Sequence, residues 1–119
     1  RDPTLPDSGG GGTITGTLAL PANATGTATV TDVVSSLTLH HAGSADAIAF
    51  SQVVLNSNAT AQVFTINGIP AGTDYVVTSN TSYLEQTSTF DIPTAPATAT
   101  VTSGGITDLG TTEVQGITF

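Results

Sequence analysis

The chain has 119 residues, of which only 8% are charged, nine acids against one base, for a net charge of −8; an average soluble protein is about 25% charged. This length fits one domain and not two, and with Arg1 as the single basic residue nothing can displace phosphate counterions, which excludes an electrostatic nucleic-acid binder. Cys is absent, which removes disulfides, thiolate zinc sites and thiol catalysis together.

Residues 1–12, Arg1-Asp2-Pro3-Thr4-Leu5-Pro6-Asp7-Ser8-Gly9-Gly10-Gly11-Gly12, combine two prolines with a four-glycine run, a composition that buries too little apolar surface to order itself. Leu5 is its one large apolar anchor, and a neighbouring copy of the chain is one candidate that would hold it. The start at Arg1, with neither an initiator Met nor a charged-then-apolar leader, leads us to expect a processed, exported product whose signal has been removed. The longest apolar run, Ala47-Ile48-Ala49-Phe50, falls far short of the ~20 residues that span a bilayer.

From Thr13 onward the pattern predicts short strands near 13–20, 26–33, 36–41, 47–55, 60–67, 74–79, 82–90, 96–102 and 109–115, with no stretch of helical periodicity. The 24 Thr residues, together with Val and Ile, are the types that suit a pleated, half-buried surface. In the first segment Ile14, Leu18 and Leu20 fall on one face and Thr on the other, with Gly16 leaving a gap on the inner face. Leu37 with Leu39, and Phe64 with Ile66, alternate in the same way. Ile69-Pro70-Ala71-Gly72 reads as a turn with Pro at its second position, and Asn56-Ser57-Asn58 and Ser103-Gly104-Gly105 punctuate two further strand pairs. The expected fold is all-β: a single Ig-like or transthyretin-like β-sandwich of about eight or nine strands over 13–114, preceded by the extension 1–12 and followed by a C-terminal strand extension, 115–119. Phe50, Phe64, Tyr75, Tyr83 and Phe90 are expected in its core.

Constellations that carry chemistry are sparse. His40-His41 invites a metal hypothesis, but adjacent strand residues face opposite ways, so His41 follows Leu37 and Leu39 while His40 faces solvent. The nine carboxylates are scattered singly and form no Asp-x-Asp-x-Asp-Gly loop; no cofactor is expected, and calcium held by loop carboxylates and carbonyls stays open because it would also link subunits. No Gly-x-Ser-x-Gly elbow occurs, and the Gly9-to-Gly12 run lacks the Lys of a phosphate loop. Catalytic, cofactor and metal residues are therefore nominated nowhere, and an enzyme is not expected. Three sequons, at Asn23, Asn58 and Asn80, fall at predicted turns where an exported chain accepts a glycan, although a chain this rich in Ser and Thr generates such triplets by chance.

One stretch, Phe64-Thr65-Ile66-Asn67-Gly68-Ile69-Pro70-Ala71-Gly72-Thr73-Asp74-Tyr75, resembles the carboxypeptidase-regulatory-like, or transthyretin-like, β-sandwich family, in which a strand ends in a Gly-aliphatic-Pro-x-Gly turn followed by a Tyr-bearing strand. Gly12-Thr13-Ile14-Thr15-Gly16-Thr17-Leu18 is similar to the family's opening strand, and Val101-Thr102-Ser103-Gly104-Gly105-Ile106-Thr107-Asp108-Leu109-Gly110 to its closing turn and strand; together they cover about half of residues 12 to 114. The resemblance implies a β-sandwich and a non-catalytic module on an exported prokaryotic surface protein.

The termini complete the expectation. Ile117 and Phe119 share one face of the last segment, a liability in a free edge strand that addition to a neighbour's sheet edge would remove, as pairing within its own domain would. Either terminus, donated head to tail, would generate an open filament, and with no Lys for isopeptide or Lys-based sortase linkage the polymer would be non-covalent. The expected function is thus a structural subunit of an extracellular, pilus-like fibre, with Leu5, Ile117 and Phe119 as candidate interface residues and the chain itself as partner. The alternative is a monomeric surface module for adhesion or carbohydrate binding, or a spacer.

Overall fold

The computed structural model describes residues 11–24, 29–94 and 96–119. They form eight strands: β1 (Gly12–Ala19), β2 (Val33–His41), β3 (Ala49–Leu55), β4 (Ala61–Ile69), β5 (Gly72–Tyr83), β6 (Gln86–Ile92), β7 (Ala99–Val101) and β8 (Ile106–Glu113), with one short 3₁₀ turn at Ala22–Ala24. Two sheets face each other: a three-stranded one in the order β4-β1-β8 and a five-stranded one in the order β3-β2-β5-β6, where β7 also pairs with β5. The chain is a single β-sandwich.

Alternation places the core. Along β1 burial switches at every residue, sending Ile14 and Leu18 against Leu37, Leu39 and Val77 of the opposing sheet's buried set, within one cluster that also holds Phe64, Ile66, Ile69, Tyr75 and Ile92. The gap expected at Gly16 is filled by the ring of Phe64, its cross-strand partner: a Cβ added there would lie 2.7 Å from Phe64 Cζ. Of the aromatics expected inside, Phe64, Tyr75, Tyr83 and Phe90 are buried, but Phe50 is 74% exposed. The reason is parity: Phe50 lies opposite Thr38, on the outer side of the large sheet, while Val53 and Leu55 take the inner positions of β3.

Pro70 and Ala71 alone join β4 to β5, carrying the chain from the small sheet to the large one. The buried Tyr75 ring seals this corner, its hydroxyl donating to Pro70 O at 2.5 Å. The corner between β3 and β4 is an Asx turn, where Asn58 N donates to Asn56 Oδ1 at 2.9 Å and Asn56 and Ala59 exchange both backbone bonds.

Several expected boundaries move. Of the strand expected at 26–33, residues 26–28 lie outside the described residues and 29–32 form no strand; Val30 instead exchanges hydrogen bonds with the Ser57 side chain and backbone, Val30 N to Ser57 Oγ at 2.6 Å and Ser57 N to Val30 O at 3.0 Å. The expected break between 79 and 82 does not exist. β5 runs unbroken from Gly72 to Tyr83 because Ser79 and Thr81 turn inward and are fully buried, so the pleat continues through polar residues. Its turn comes at Leu84, which adopts φ 55°.

Candidate assembly surface

The topology gives the sandwich two distinct poles. β1 and β8 pair in parallel, Thr13 opposite Ile106 and Ala19 opposite Glu113, whereas every other ladder is antiparallel. The opening and closing strands therefore run in one direction: the chain comes into the fold at the pole that holds Gly12, Ile69, Gly72 and Gly105, and leaves it at the pole that holds Ala19, Ala61, Leu55 and Glu113. An exposed apolar side chain sits at each pole, Ile106 (74% exposed) at the first and Leu84 (75% exposed) at the second. Further exposed apolar groups lie along strands at sheet edges, Phe50 and Val54 on β3 and Val63 on β4.

The candidate interface residues fall in different places. Leu5 lies outside the described residues. Ile117 and Phe119 are half-buried and pack on this chain's own core. Residues 115–119 form no strand; after Val114 N donates to Ala19 O at 2.9 Å, they cross to the β6 side of the large sheet. There Ser88 Oγ donates to Gln115 O at 2.7 Å, and the Gln86 carboxamide grips Thr118 at both backbone groups, each at 2.8 Å. The Phe119 ring lies 5.1 Å from that of Tyr83. This tail supplies the side that a three-stranded sheet cannot cover opposite a five-stranded one, and its apolar groups pack on this chain's own core.

The three sequon asparagines are all exposed, but in different settings. Asn23 is in the 3₁₀ turn and Asn58 in the β3–β4 corner. Asn80 is not at a turn: it stands in mid-strand on the outer face of the large sheet, between Ser36 and Thr89. Beside Asn58, residues 29–32 and 56–58 line a groove in which Asn56 Nδ2 donates to Asp32 Oδ1 at 2.9 Å. Asp32 is the one carboxylate there. Among the described residues no three His, Cys, Asp or Glu side chains gather as a metal-binding group.

The histidines are tied into the fabric. His41 stacks on Tyr75 with ring centroids 4.3 Å apart and its Nδ1 contacts Thr73 O at 2.9 Å. His40 lies half-buried on the outer face; its Nδ1 contacts His41 O and Ser44 O, each at 2.9 Å, and its Nε2 contacts Thr78 Oγ1 at 2.6 Å. Thr78 in turn donates to Asp91 Oδ1 at 3.0 Å. Both ring nitrogens of His40 thus have hydrogen-bond partners within the chain. This His40–Thr78–Asp91 chain links three neighbouring strands and was not legible beforehand, because Thr78 and Asp91 meet His40 only through the register of β2, β5 and β6.

On the inner face, a second polar group escaped notice: Ser35 Oγ lies 2.7 Å and Ser79 Oγ 2.9 Å from Thr81 Oγ1, all fully buried. Each hydroxyl has a partner, which is what allows three polar groups to stay in an apolar core.

Searches of family models, of curated proteins and of solved structures each returned no match to this chain. No helix among the described residues is long and apolar enough to cross a membrane.

Proposed function

We propose that this protein is an exported structural subunit that assembles non-covalently, end to end, into an extracellular filament. The observation that carries the reading is the parallel pairing of β1 with β8: a unit whose chain comes in at one pole and leaves at the other repeats along an axis without turning back. The exposed Ile106 and Leu84, one at each pole, support it, since head-to-tail contact would withdraw both from water. A surface of Thr, Ser and Asn with 8% charged residues supports it further, because little charge needs desolvation when copies stack.

The C-terminal tail is already engaged in its own chain, so the donated segment in this reading is N-terminal: residues 1–9, with Leu5 as anchor, add to an open sheet edge of the next copy. The expected outcome of removing residues 1–9 is a folded monomer that no longer forms filaments, read by electron microscopy and size-exclusion chromatography of native material. Filaments of normal repeat from the truncated chain would overturn the reading. Glycans at Asn23, Asn58 or Asn80 fit the same placement, because all three side chains face solvent; mass spectrometry of native material tests each.

A second reading, a surface module that binds carbohydrate, is favoured by one observation: the exposed Phe50 ring continues a row of Thr38, Thr78 and Asp91 across the outer face of the large sheet. A ring beside hydroxyls and a carboxylate is the composition that stacks on and hydrogen-bonds to a sugar. In that case a stable monomer binds polysaccharide in a pulldown and Phe50→Ala abolishes retention. Equal retention of the two proteins removes this reading.

A further inference from the structure

The parallel β1–β8 ladder has a mechanical consequence that does not depend on how copies assemble. The geometry points to a load-bearing domain: tension applied through the two sides of the chain falls on the β1–β8 ladder in shear. β1 is drawn toward the first pole by the chain preceding it, and β8 toward the second by the chain following it. The strands are parallel, so these pulls act along the strands in opposite senses. The slanted, evenly spaced bonds of a parallel ladder are then stretched together, and no bond can fail before its neighbours share the load. Pulled apart from one end, the same bonds would break one after another.

Three features suit the ladder to this work. It is long for such a small sheet: six registered pairs join the strands, extended by Thr13 N to Gly105 O and Val114 N to Ala19 O, both at 2.9 Å. β1 is also central, held on its other side by an antiparallel ladder to β4 from Gly12 opposite Ile69 to Ala19 opposite Ala61, so it cannot follow β8. The point where load comes in is wedged: a Cβ on Gly11 would lie 2.4 Å from Ile69 O and one on Gly12 2.3 Å from Thr102 O, an approach to backbone that only glycine permits.

The ladder also resists sliding. Its register shifts between Thr15 and Thr17, where Gly110 adopts φ 74° and its N–H donates to Asp108 Oδ1 at 2.9 Å. A bulge of this kind fits one register, so β8 cannot creep along β1 and re-form its bonds. The tail that follows β8 is held by the side chains of Gln86 and Ser88 and by the Tyr83–Phe119 contact; it would be peeled off first, as a small early release, before the ladder takes the load.

Single-molecule pulling tests this on the isolated chain, where forced rupture reports the unfolding barrier along the pulled direction. Because the sequence has no Cys, introduced thiols define the attachment points. Handles fused beyond both ends load the ladder in shear; handles at Asn23→Cys and Gln115→Cys, both at the second pole, peel β1 from β8. The expected result is a rupture force severalfold higher between the ends than between 23 and 115. Equal forces, or a higher force for the peeling pair, would overturn the proposal.

A pair of prolines locates the resistance. Thr112 precedes Val114 by two residues and so points its N–H the same way, toward β1, whereas the Thr111 N–H faces the open edge, where proline is tolerated. Thr112→Pro is expected to lower the end-to-end force and Thr111→Pro to leave it unchanged; no difference between the two places the resistance elsewhere and rejects the assignment. If Thr112→Pro does not fold, the comparison of attachment points in the unmodified sequence decides alone. Loss of filaments on removing residues 1–9 is a separate result, since these forces are measured on single chains.

Discussion

Thr81 Oγ1 shares hydrogen bonds with both Ser35 Oγ and Ser79 Oγ in a space with no exposure at all. Removing one member of such a group leaves the others to carry an uncompensated desolvation cost of about 1–3 kcal/mol, so the isosteric Thr81→Val is expected to lower the free energy of unfolding by that amount, measured by urea denaturation. A neutral effect would mean that Ser35 and Ser79 find each other or another acceptor. Phe50 illustrates the opposite case at this scale. An aromatic in the short apolar run 47–50 reads as core, yet one step of strand parity puts it on the outer face opposite Thr38, where it is exposed to solvent.

At the scale of elements, the tail at 115–119 and the long strand β5 depart furthest from expectation. A strand that pairs with a neighbour was one expectation for the tail; a crossing segment held by Gln86, Ser88 and Tyr83 is what forms. Deleting residues 117–119 strips the core of Ile117 and Phe119, each worth about 1.5–3 kcal/mol at full burial and less at half. The expected outcome is a clear fall in melting temperature, followed by scanning calorimetry, with filament assembly through residues 1–9 retained. An unchanged melting temperature would show that the tail contributes nothing in cis and would restore it as a donor segment. For β5, Asn80-Thr81-Ser82 looked like a turn because three polar residues in sequence interrupt the alternation; two of those positions matter differently, Thr81 hydrogen-bonding inward and Asn80 facing water.

At the scale of the whole molecule, the direction of the chain is the organising fact. A sandwich whose first and last strands were antiparallel would bring both sides of the chain out at one pole, and neither end-to-end repetition nor shear loading would follow. Here both proposals share that topological origin and part company in their tests, one read by polymerisation and the other by rupture force. Among the described residues the edges at β3, β4 and β8 are open and are the surfaces to which an added strand could pair, and β3 carries Phe50 and Val54, so it is the edge at which lateral contact would withdraw the most apolar surface from water.

The sequence by itself determined the class and much of the core. Period-two alternation at Ile14 and Leu18, at Leu37 and Leu39, and at Phe64 and Ile66 is a local property that survives folding, because a half-buried strand is specified by its own side chains; the Pro70-Ala71 turn and the Asn56–Asn58 corner are local for the same reason, each fixed by residues within a few positions of one another. Only the tertiary structure decided what depends on partners distant in sequence: that β1 lies beside β8 and in parallel, that His40 reaches Asp91 through Thr78, that Ser35 makes Thr81 tolerable inside, and that Phe119 folds back onto Tyr83. Those relations are set by strand order and register, which arise when two sheets choose how to cover each other, and no single segment carries that choice.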